Sequence, residues 1–488
     1  MIVLLHPRAT KPKNRRFPLA MLAIAAVLEG KEEYVIIDGN VDPEPERSLD
    51  RVMRDSSAEL LAVSVMPGPQ MAAAIPLCRA FRKKYPNVPI VWGGYFPSLY
   101  ADATLNTQYV DFAVRGQGEE TILELLAALR AGGKFAGIRG LSFKDDFGLR
   151  VHNPERPLRS PGDFPWPPYH RLASPEKYIR PTFLGSRTAV HQASIGCPFR
   201  CNFCGVVPVH EGRQKTEPPE RTAAILGHLK KEYGVNAIQF YDNNFFLNQS
   251  HAMALAERLI PLGLRWWAEG RVDTVLRYSD ETMRALRQAG ATMLFFGAES
   301  GSNWVLQQMN KQITAEQTLE LAERIHKFGI VPEFSFVLGN PEQPERDTRE
   351  TIDFIRRIKR INPEAEIIVQ HYIPTPHPDG MYGHVEDKIE FPKTPEEWAS
   401  DRWYNFTIRH DPELPWLPKP VKRRIDDFEL VINSRWPTMQ DIYLPRWGRA
   451  ALKALSSWRY ACGVYQYPVE LQWVQRLVDL RKPRWESL

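Results

Sequence analysis

Three of the chain's five cysteines fall within eight residues: Cys197, Cys201 and Cys204, in "SIGCPFRCNFCG" at 194–205. Thiolates are the soft ligands that hold zinc and iron–sulfur clusters. A cubane cluster has four irons, so three cysteines leave one iron without a protein ligand. That iron is open to a small molecule binding through nitrogen and oxygen, whereas a fully ligated cluster only carries electrons. The alternative from these residues is a structural zinc with His210 or His191 as fourth ligand, although zinc ligand pairs are usually separated by a longer loop. Five cysteines in 488 residues do not make a disulfide framework, and a reducing, intracellular setting fits them better. Cys78 and Cys462 stand alone and read as core and helix packing.

Hydrophobic patterning shows what positions these thiols. Residues 1–130 alternate short apolar strands ("IVLL", "YVIID", "LLAVSVM", "PIVWGG", "DFAVRG") with helices, the pattern of a parallel sheet covered on both faces. The basic-then-apolar stretch 15–30 lies between two strands and lacks a small-residue cleavage site, so it reads as the first helix and not as a signal peptide. Parallel sheets bind ligands at the carboxyl ends of their strands. Gly93, Gly94, Gly116 and Gly118 sit at such ends, where a bare backbone admits a ligand or merely makes a turn. Residues 131–188 are rich in Gly, Pro and Arg and read as a linker with a small hairpin.

From 189 the alternation resumes, with strands expected at 189–195, 236–242, 264–269, 292–298, 333–338 and 366–373. Six β-α repeats make a partial or full barrel, whose active site lies at the carboxyl ends of the strands. The cysteines follow the first of these strands. The expected architecture is therefore α/β: an N-terminal Rossmann-like domain (1–130), a linker (131–188), a (β/α)6 barrel (189–375) and a helical C-terminal domain (376–488).

A hydrophobic content of 43% with 25% charged residues is that of a soluble globular protein, and no stretch reaches the ~18 apolar residues of a membrane span. The net charge of +5 comes from the end of the chain: 401–488 holds 15 Lys and Arg against 10 Asp and Glu, and seven of the 13 tryptophans.

Cys-x3-Cys-x2-Cys after a barrel's first strand, with the aromatic Phe203 before the last cysteine, resembles the radical S-adenosylmethionine (SAM) family. "YDNNF" (241–245), "EGRVD" (269–273), "GAESGS" (297–302), "MNKQIT" (309–314) and "FSFVLGNPEQ" (334–343) match the same superfamily over roughly 185–375. A parallel α/β domain ahead of such a barrel resembles the family's cobalamin-binding members, including class B methyltransferases, the anaerobic porphyrin cyclase and hopanoid enzymes. There, "VSV" around Ser64, "GGYFPS" from Gly93 and "VRGQGEE" (114–120, with Gly116, Gly118 and Glu119) match the cobalamin domain. The Asp-x-His-x-x-Gly motif, whose histidine ligates cobalt in some cobalamin enzymes, is absent. The corresponding loop reads "HPRATKPKNRR", and His6 is not in that motif.

The resemblance implies a 4Fe-4S cluster on the three cysteines, SAM on the open iron, and cobalamin. Reductive cleavage of SAM gives a 5′-deoxyadenosyl radical that takes hydrogen from an unactivated carbon, and a low-potential donor such as ferredoxin or flavodoxin supplies the electron. Arg271 and Glu299 are the expected catalytic residues. Asp242, Glu269, Arg271 and Glu299 would hold SAM, with Asn243 at the same mouth and Gly339 beneath adenine; Lys311 is a weaker candidate. The expected reaction is methylation of an unactivated carbon of an apolar, lipid-like substrate. The alternatives are radical cyclisation or rearrangement of a lipid or tetrapyrrole, and a non-catalytic metal-binding scaffold.

The C-terminal stretch 446–464 places Trp447, Ala451, Ala454, Leu455 and Trp458 on one face of a helix, with Arg446, Arg449 and Lys453 opposite. A basic amphipathic helix with tryptophans suits a membrane surface; packing onto the barrel is the plainer role. The sequence thus suggests a cytoplasmic enzyme with peripheral contact to the inner face of a membrane. "WYNF" (403–406) and "PWLP" (415–418) suit an apolar substrate channel. His371, His377 and His384 lie near the sixth strand's end, where a lone histidine is usually just hydrogen-bonded. No nucleic-acid-binding module is recognised.

Overall fold

The apolar runs of the first 114 residues form five parallel strands: β1 (Ile2–His6), β2 (Tyr34–Asp38), β3 (Leu60–Ser64), β4 (Ile90–Gly93) and β5 (Phe112–Val114), in the order β2-β1-β3-β4-β5. The computed structural model describes residues 1–56, 58–374, 389–407 and 414–478. Helices Leu19–Leu28 and Glu119–Arg130 bury their apolar residues on one side of this sheet, and Pro69–Lys84 on the other. Coverage of both faces explains why these strands read as unbroken apolar runs.

The hairpin expected in the linker is β6 (Leu141–Lys144) and β7 (Arg150–His152). It continues the same sheet antiparallel to β5, so this part of 131–188 belongs to the first domain's sheet.

The second sheet consists of β8 (Thr188–His191), β11 (Ala237–Phe240), β12 (Arg265–Gly270), β13 (Ala291–Glu299), β14 (Val331–Leu338) and β15 (Glu366–His371). All neighbours pair in parallel in chain order, and β8 and β15 are the sheet's two edges, with Arg180 making an isolated antiparallel bridge to Thr188 of β8. This is the expected six-unit barrel, left open. A small antiparallel pair, β9 (Ser194–Gly196) and β10 (Gln214–Thr216), brackets the cysteine loop.

The C-terminal region does not stand apart. Val421, Ile425, Phe428 and Ile432 of the helix Lys419–Arg435 lie in the barrel's own core. Trp398 and Trp403 instead join the first domain's core, with Phe391, Phe96 and Tyr100. Tyr109 Oη donates to Glu396 Oε1 at 2.8 Å, and Asn106 Nδ2 to the Lys393 carbonyl at 3.0 Å. One segment thus braces both domains. The expected channel roles of 403–406 and 415–418 are not met: Trp403 and Phe406 pack on each other, and Trp416 packs near Phe203 and Tyr372.

Candidate active site

The cysteine loop leaves the carboxyl end of β8 and is clamped from across the barrel. Asn202 Nδ2 donates to the Gln308 carbonyl at 2.8 Å, and Asn310 Nδ2 to the Arg200 carbonyl at 2.8 Å. Cys201 is buried, while Cys197 and Cys204 are part-exposed. Burial pushes the Cys204 thiol up to about 11 and raises Cys197, with the Cys201 charge adding to both; Lys311 opposes the rise at both, and Arg271 at Cys197. Metal ligation, which needs thiolates, is therefore helped by these cations.

Arg271 is the hub. Its Nε lies 3.0 Å from Asp273 Oδ1, its Nη2 donates to the Lys311 carbonyl at 2.5 Å, and its Nη1 is 3.6 Å from Cys201 Sγ. The guanidinium sits 3.7 Å above the Phe199 ring. Lys311 turns its ammonium to Glu299, Nζ to Oε1 2.6 Å, and to the Phe203 ring at 5.8 Å. Both members of this ion pair are buried. Burial alone would depress the Lys311 pKa, but Glu299 and Cys201 more than offset it, and the pKa is raised.

Glu299 holds its place through strained backbone: its φ is +64°, left-handed for a non-glycine residue, at a bulge of β13 against β14. Gly297 makes the room, because a Cβ there would lie 2.1 Å from Glu299 Oε1 and 2.7 Å from Lys311 Nζ. The following turn is pinned by Ser300 Oγ donating to buried Asp347 at 3.0 Å and Asn340 Nδ2 donating to its other oxygen at 2.7 Å.

Asp242 and Glu269 do not join this group. With Asn243 they line a cavity of about 830 Å³. The cavity runs from these carboxyl-end residues to Val331 and Ala365 at the opposite end, where Thr438 and Gln440 close it. Asp242 is 1% exposed; its Oδ2 accepts from the Ala193 amide at 3.2 Å, and Oδ1 has no partner. Burial raises Asp242 to about 6 and Glu269 to about 7, with Asp242 adding to the latter.

Further along, Glu333 accepts from Trp267 Nε1 at 2.9 Å and from Gln440 Nε2. Burial, then Glu366, pushes it up to about 8. Glu366 accepts from Thr438 Oγ1 and, at 2.6 Å, from the Met439 amide. Glu333 and Glu366 are register partners on neighbouring strands.

Gly339 is not open to a ligand: both Leu417 methyls lie 3.0 Å from where its Cβ would stand. His191 Nε2 pairs with Glu217 at 3.0 Å, which removes it as a zinc ligand. Among the described residues no three His, Cys, Asp or Glu side chains converge as a single-ion site. His371 lies 3.3 Å from Asp426, and His377 and His384 fall outside the described residues. Cys78 is buried against Trp92 Nε1, whereas Cys462, expected in helix packing, is exposed.

The first domain presents its predicted residues along one edge. Buried Ser64 ends β3, Gly93 ends β4, Gly94 turns with φ +101°, the Gly116 amide donates to Ser98 Oγ at 2.9 Å, and Glu119 opens the helix after Gly118. Burial raises the Glu119 pKa. His6 ends β1, its pKa lowered by burial, with Gln70 Nε2 at 3.2 Å from its ring. A glycine-lined carboxyl edge fits a bound cofactor. It also faces the cysteine loop: the Tyr95 hydroxyl lies 1.7 Å from where a Cβ on Gly205 would stand.

Sequence reasoning missed Phe199, Gly297, Glu333 and Glu366 as site residues. Gly297 stood inside the quoted "GAESGS", and the acids of β14 and β15 carried only the signal of charges inside apolar runs.

Comparison with known proteins agrees with this geometry. The radical SAM superfamily profile matches residues 192–355, and the B12-binding domain profile matches 6–126. The chain therefore carries a radical SAM domain with a B12-binding domain ahead of it. A 4Fe-4S cluster, SAM and cobalamin are the cofactors these two domains imply.

Among curated relatives, an uncharacterized methyltransferase of Pyrococcus horikoshii is 29% identical over 344 residues, covering 70% of this chain and 73% of that one. The anaerobic magnesium-protoporphyrin IX monomethyl ester cyclase of a Synechocystis strain is 25% identical over 376 residues, covering 75% and 72%. The radical SAM methyltransferase TsrM of Kitasatospora setae, solved with cobalamin and a 4Fe-4S cluster, superposes with a TM-score of 0.68 at 16% identity over 98% of both chains, which shows a shared fold.

Proposed function

We propose that this chain is a cobalamin-dependent radical SAM methyltransferase that methylates an unactivated carbon of a small organic substrate held in the barrel cavity. The observation that carries this reading is the packing of Tyr95, from the cobalamin-domain edge, on Gly205, the residue after Cys204. A methyl donor on one edge and a radical source on the other must share a substrate, and this contact brings the two edges together. When bound, the cluster with SAM supplies a carbon-centred radical, and cobalamin supplies the methyl group.

The chain's own residues do the rest. Cys197, Cys201 and Cys204 hold the cluster. Arg271 stands against Cys201, locked by Asp273, Phe199 and the Lys311 carbonyl, and offers its guanidinium to the carboxylate of SAM. Glu299, fixed by Lys311, accepts from SAM's ammonium or ribose. The buried Leu417 over Gly339 and the Trp416–Tyr372 pair close the barrel's mouth against water.

The apolar part of the cavity, with Trp267, Phe295, Ile368 and Ile442, favours a substrate with an apolar body. Membrane contact gains support from the helix Arg446–Cys462. It buries Gly448, Leu452, Ser456 and Arg459 and turns Trp447, Leu455 and Trp458 outward at 60%, 36% and 50% exposure. No described helix is long and apolar enough to cross a membrane, so the contact is peripheral. The cyclase relative keeps radical ring formation as a second reading.

The test is anaerobic reconstitution with iron, sulfide and hydroxocobalamin, then SAM with dithionite in place of a ferredoxin- or flavodoxin-type donor. Bound iron and cobalt with 5′-deoxyadenosine, and methylated product on feeding extracts, support the reading. Desaturated or cyclised product favours the cyclase reading. Zinc without SAM cleavage ends both.

A further inference from the structure

Resting on the reading above, we infer that the substrate carries an acidic group, a carboxylate or a phosphate ester, seated against Arg435 and Lys453 where the cavity reaches the surface. Four cations line this end: Lys359, Arg435, Arg449 and Lys453. They gather around one short stretch of chain. Lys359 Nζ lies 4.4 Å and the Arg435 guanidinium 4.9 Å from the Trp436 ring, and Arg449 Nη1 donates to the carbonyls of Pro437 and Thr438 at 2.9 and 3.2 Å. Lys453 follows Arg449 by one turn of the same helix. Met439 and Tyr443 line this end too and are 39% and 59% exposed, so a ligand can enter here.

Two of the four have their donors committed: Lys359 to the carbonyls of Pro363 and Ala365, and Arg449 to those of Pro437, Thr438 and Asp441. Arg435 and Lys453 differ, because among the described residues neither side chain makes a hydrogen bond or an ion pair. Of the Arg435 nitrogens only Nη1 is fully buried, which leaves Nε and Nη2 accessible, and Lys453 is exposed. The acids of this end are engaged with other groups. Glu366 accepts from Thr438 and the Met439 amide, Glu333 from Trp267 and Gln440, and Glu364 lies 3.6 Å from His326.

The rest of the wall is balanced: Lys13 and Arg16, from the loop after β1, share it with Asp242 and Glu269. Burial pushes Lys359 down to about 7, and the Arg435 charge adds to the fall against the opposing pull of Glu366 and Glu364. Cations this close repel one another, and an anion among them relieves the repulsion while taking up the donors of Arg435 and Lys453. The apolar flank of Trp436, Ile442 and Phe295 suits the body behind the acidic group.

The experiment is equilibrium dialysis of the reconstituted holoenzyme, with SAM present, against 4-phenylbutyrate, 4-phenylbutyl phosphate, 4-phenylbutanol and 4-phenylbutylamine, four probes of one body and different charge. At least one of the two acids is expected to bind ~10-fold or more tightly than the alcohol, the order of a charge-assisted hydrogen bond. Preference for the phosphate alone supports the inference and assigns a phosphate ester; preference for both acids supports it and shows that a carboxylate suffices. Arg435→Gln with Lys453→Gln is expected to erase the preference while the alcohol still binds, which shows that the cavity remains folded. Equal affinity for all four probes, or preference for the amine, overturns the inference. So does an acid preference that survives the double variant, because the acid then sits elsewhere, and so does inorganic phosphate binding as tightly as its phenylbutyl ester, because the site then holds an ion and no substrate body. Absence of 5′-deoxyadenosine from the wild-type protein would instead count against the underlying reading, whatever the probes do.

Discussion

The Tyr95 hydroxyl of the first domain rests on Gly205, and a single methyl group there would stand 1.7 Å from it. Tyr95 opens the helix Tyr95–Leu99 next to the glycine edge, and Gly205 follows Cys204. The close approach is therefore the joint between the first domain's glycine edge and the cysteine loop, the two edges proposed to hold the cofactors. Gly205→Ala forces the edges apart. Methyl transfer is expected to fall on the order of 100-fold, as for misplacements of about 1 Å, while 5′-deoxyadenosine formation falls much less. The ratio of the two products, measured in one assay, checks this; equal losses in both would contradict it.

The buried Lys311–Glu299 pair makes each partner costly to remove alone. Lys311→Met leaves the Glu299 carboxylate uncompensated and is expected to cost about 3–5 kcal/mol, while adding Glu299→Gln recovers part of it. A double-mutant cycle by denaturant unfolding reads the coupling. The raised Lys311 pKa means that this stabilisation is complete below the ordinary value of 10.5 and is lost as pH rises beyond it. Thermal midpoints of wild type and double variant should therefore converge only in strong alkali.

Glu333 has the same slope with pH, in a lower range. Its folded pKa is about 8 against an ordinary 4.5, so between those values the native state keeps a proton that the unfolded chain has released. Its contribution is complete below 4.5 and fades as pH rises through about 8. Glu333→Gln keeps an acceptor and a donor without the charge. It is expected to gain about 2 kcal/mol over wild type at pH 8 and little at pH 5. Unfolding at the two pH values is the check, and a uniform offset would refute the assignment.

The outward aromatic face of the 446–462 helix gives a prediction on lipid. Trp447→Ser with Trp458→Ser is expected to reduce cosedimentation with anionic vesicles ~10-fold or more, because interfacial binding scales with apolar area. SAM cleavage in solution should not change. If instead wild type ignores vesicles and runs as a dimer that the substitutions dissociate, the face is a protein interface.

The cysteine spacing, the strand-end motifs and the β-α rhythm are local patterns, and they sufficed for the two α/β layers and the cofactor set. Period and spacing are written in consecutive residues, so no tertiary information is needed to read them. "EGRVD" and "GAESGS" were legible as motifs in the same way.

What each motif residue touches was decided only in three dimensions. Arg271 and Glu269 are two positions apart on one run, yet the first reaches Cys201 and the second faces the cavity, because the chain leaves β12 at Gly270 and turns into the helix Val272–Leu276. Gly339 looked open to a ligand and is covered by Leu417, 78 residues later. The Glu333–Glu366 pair exists because parallel strands set them in register, and it survives burial because Thr438, Met439 and Gln440 return to hydrogen-bond it. Likewise, the 446–462 helix is amphipathic by sequence, but which face looks outward depends on what packs beneath it. There Gly448, Leu452 and Ser456 allow close approach to the neighbouring helix, and the tryptophans are left to the solvent.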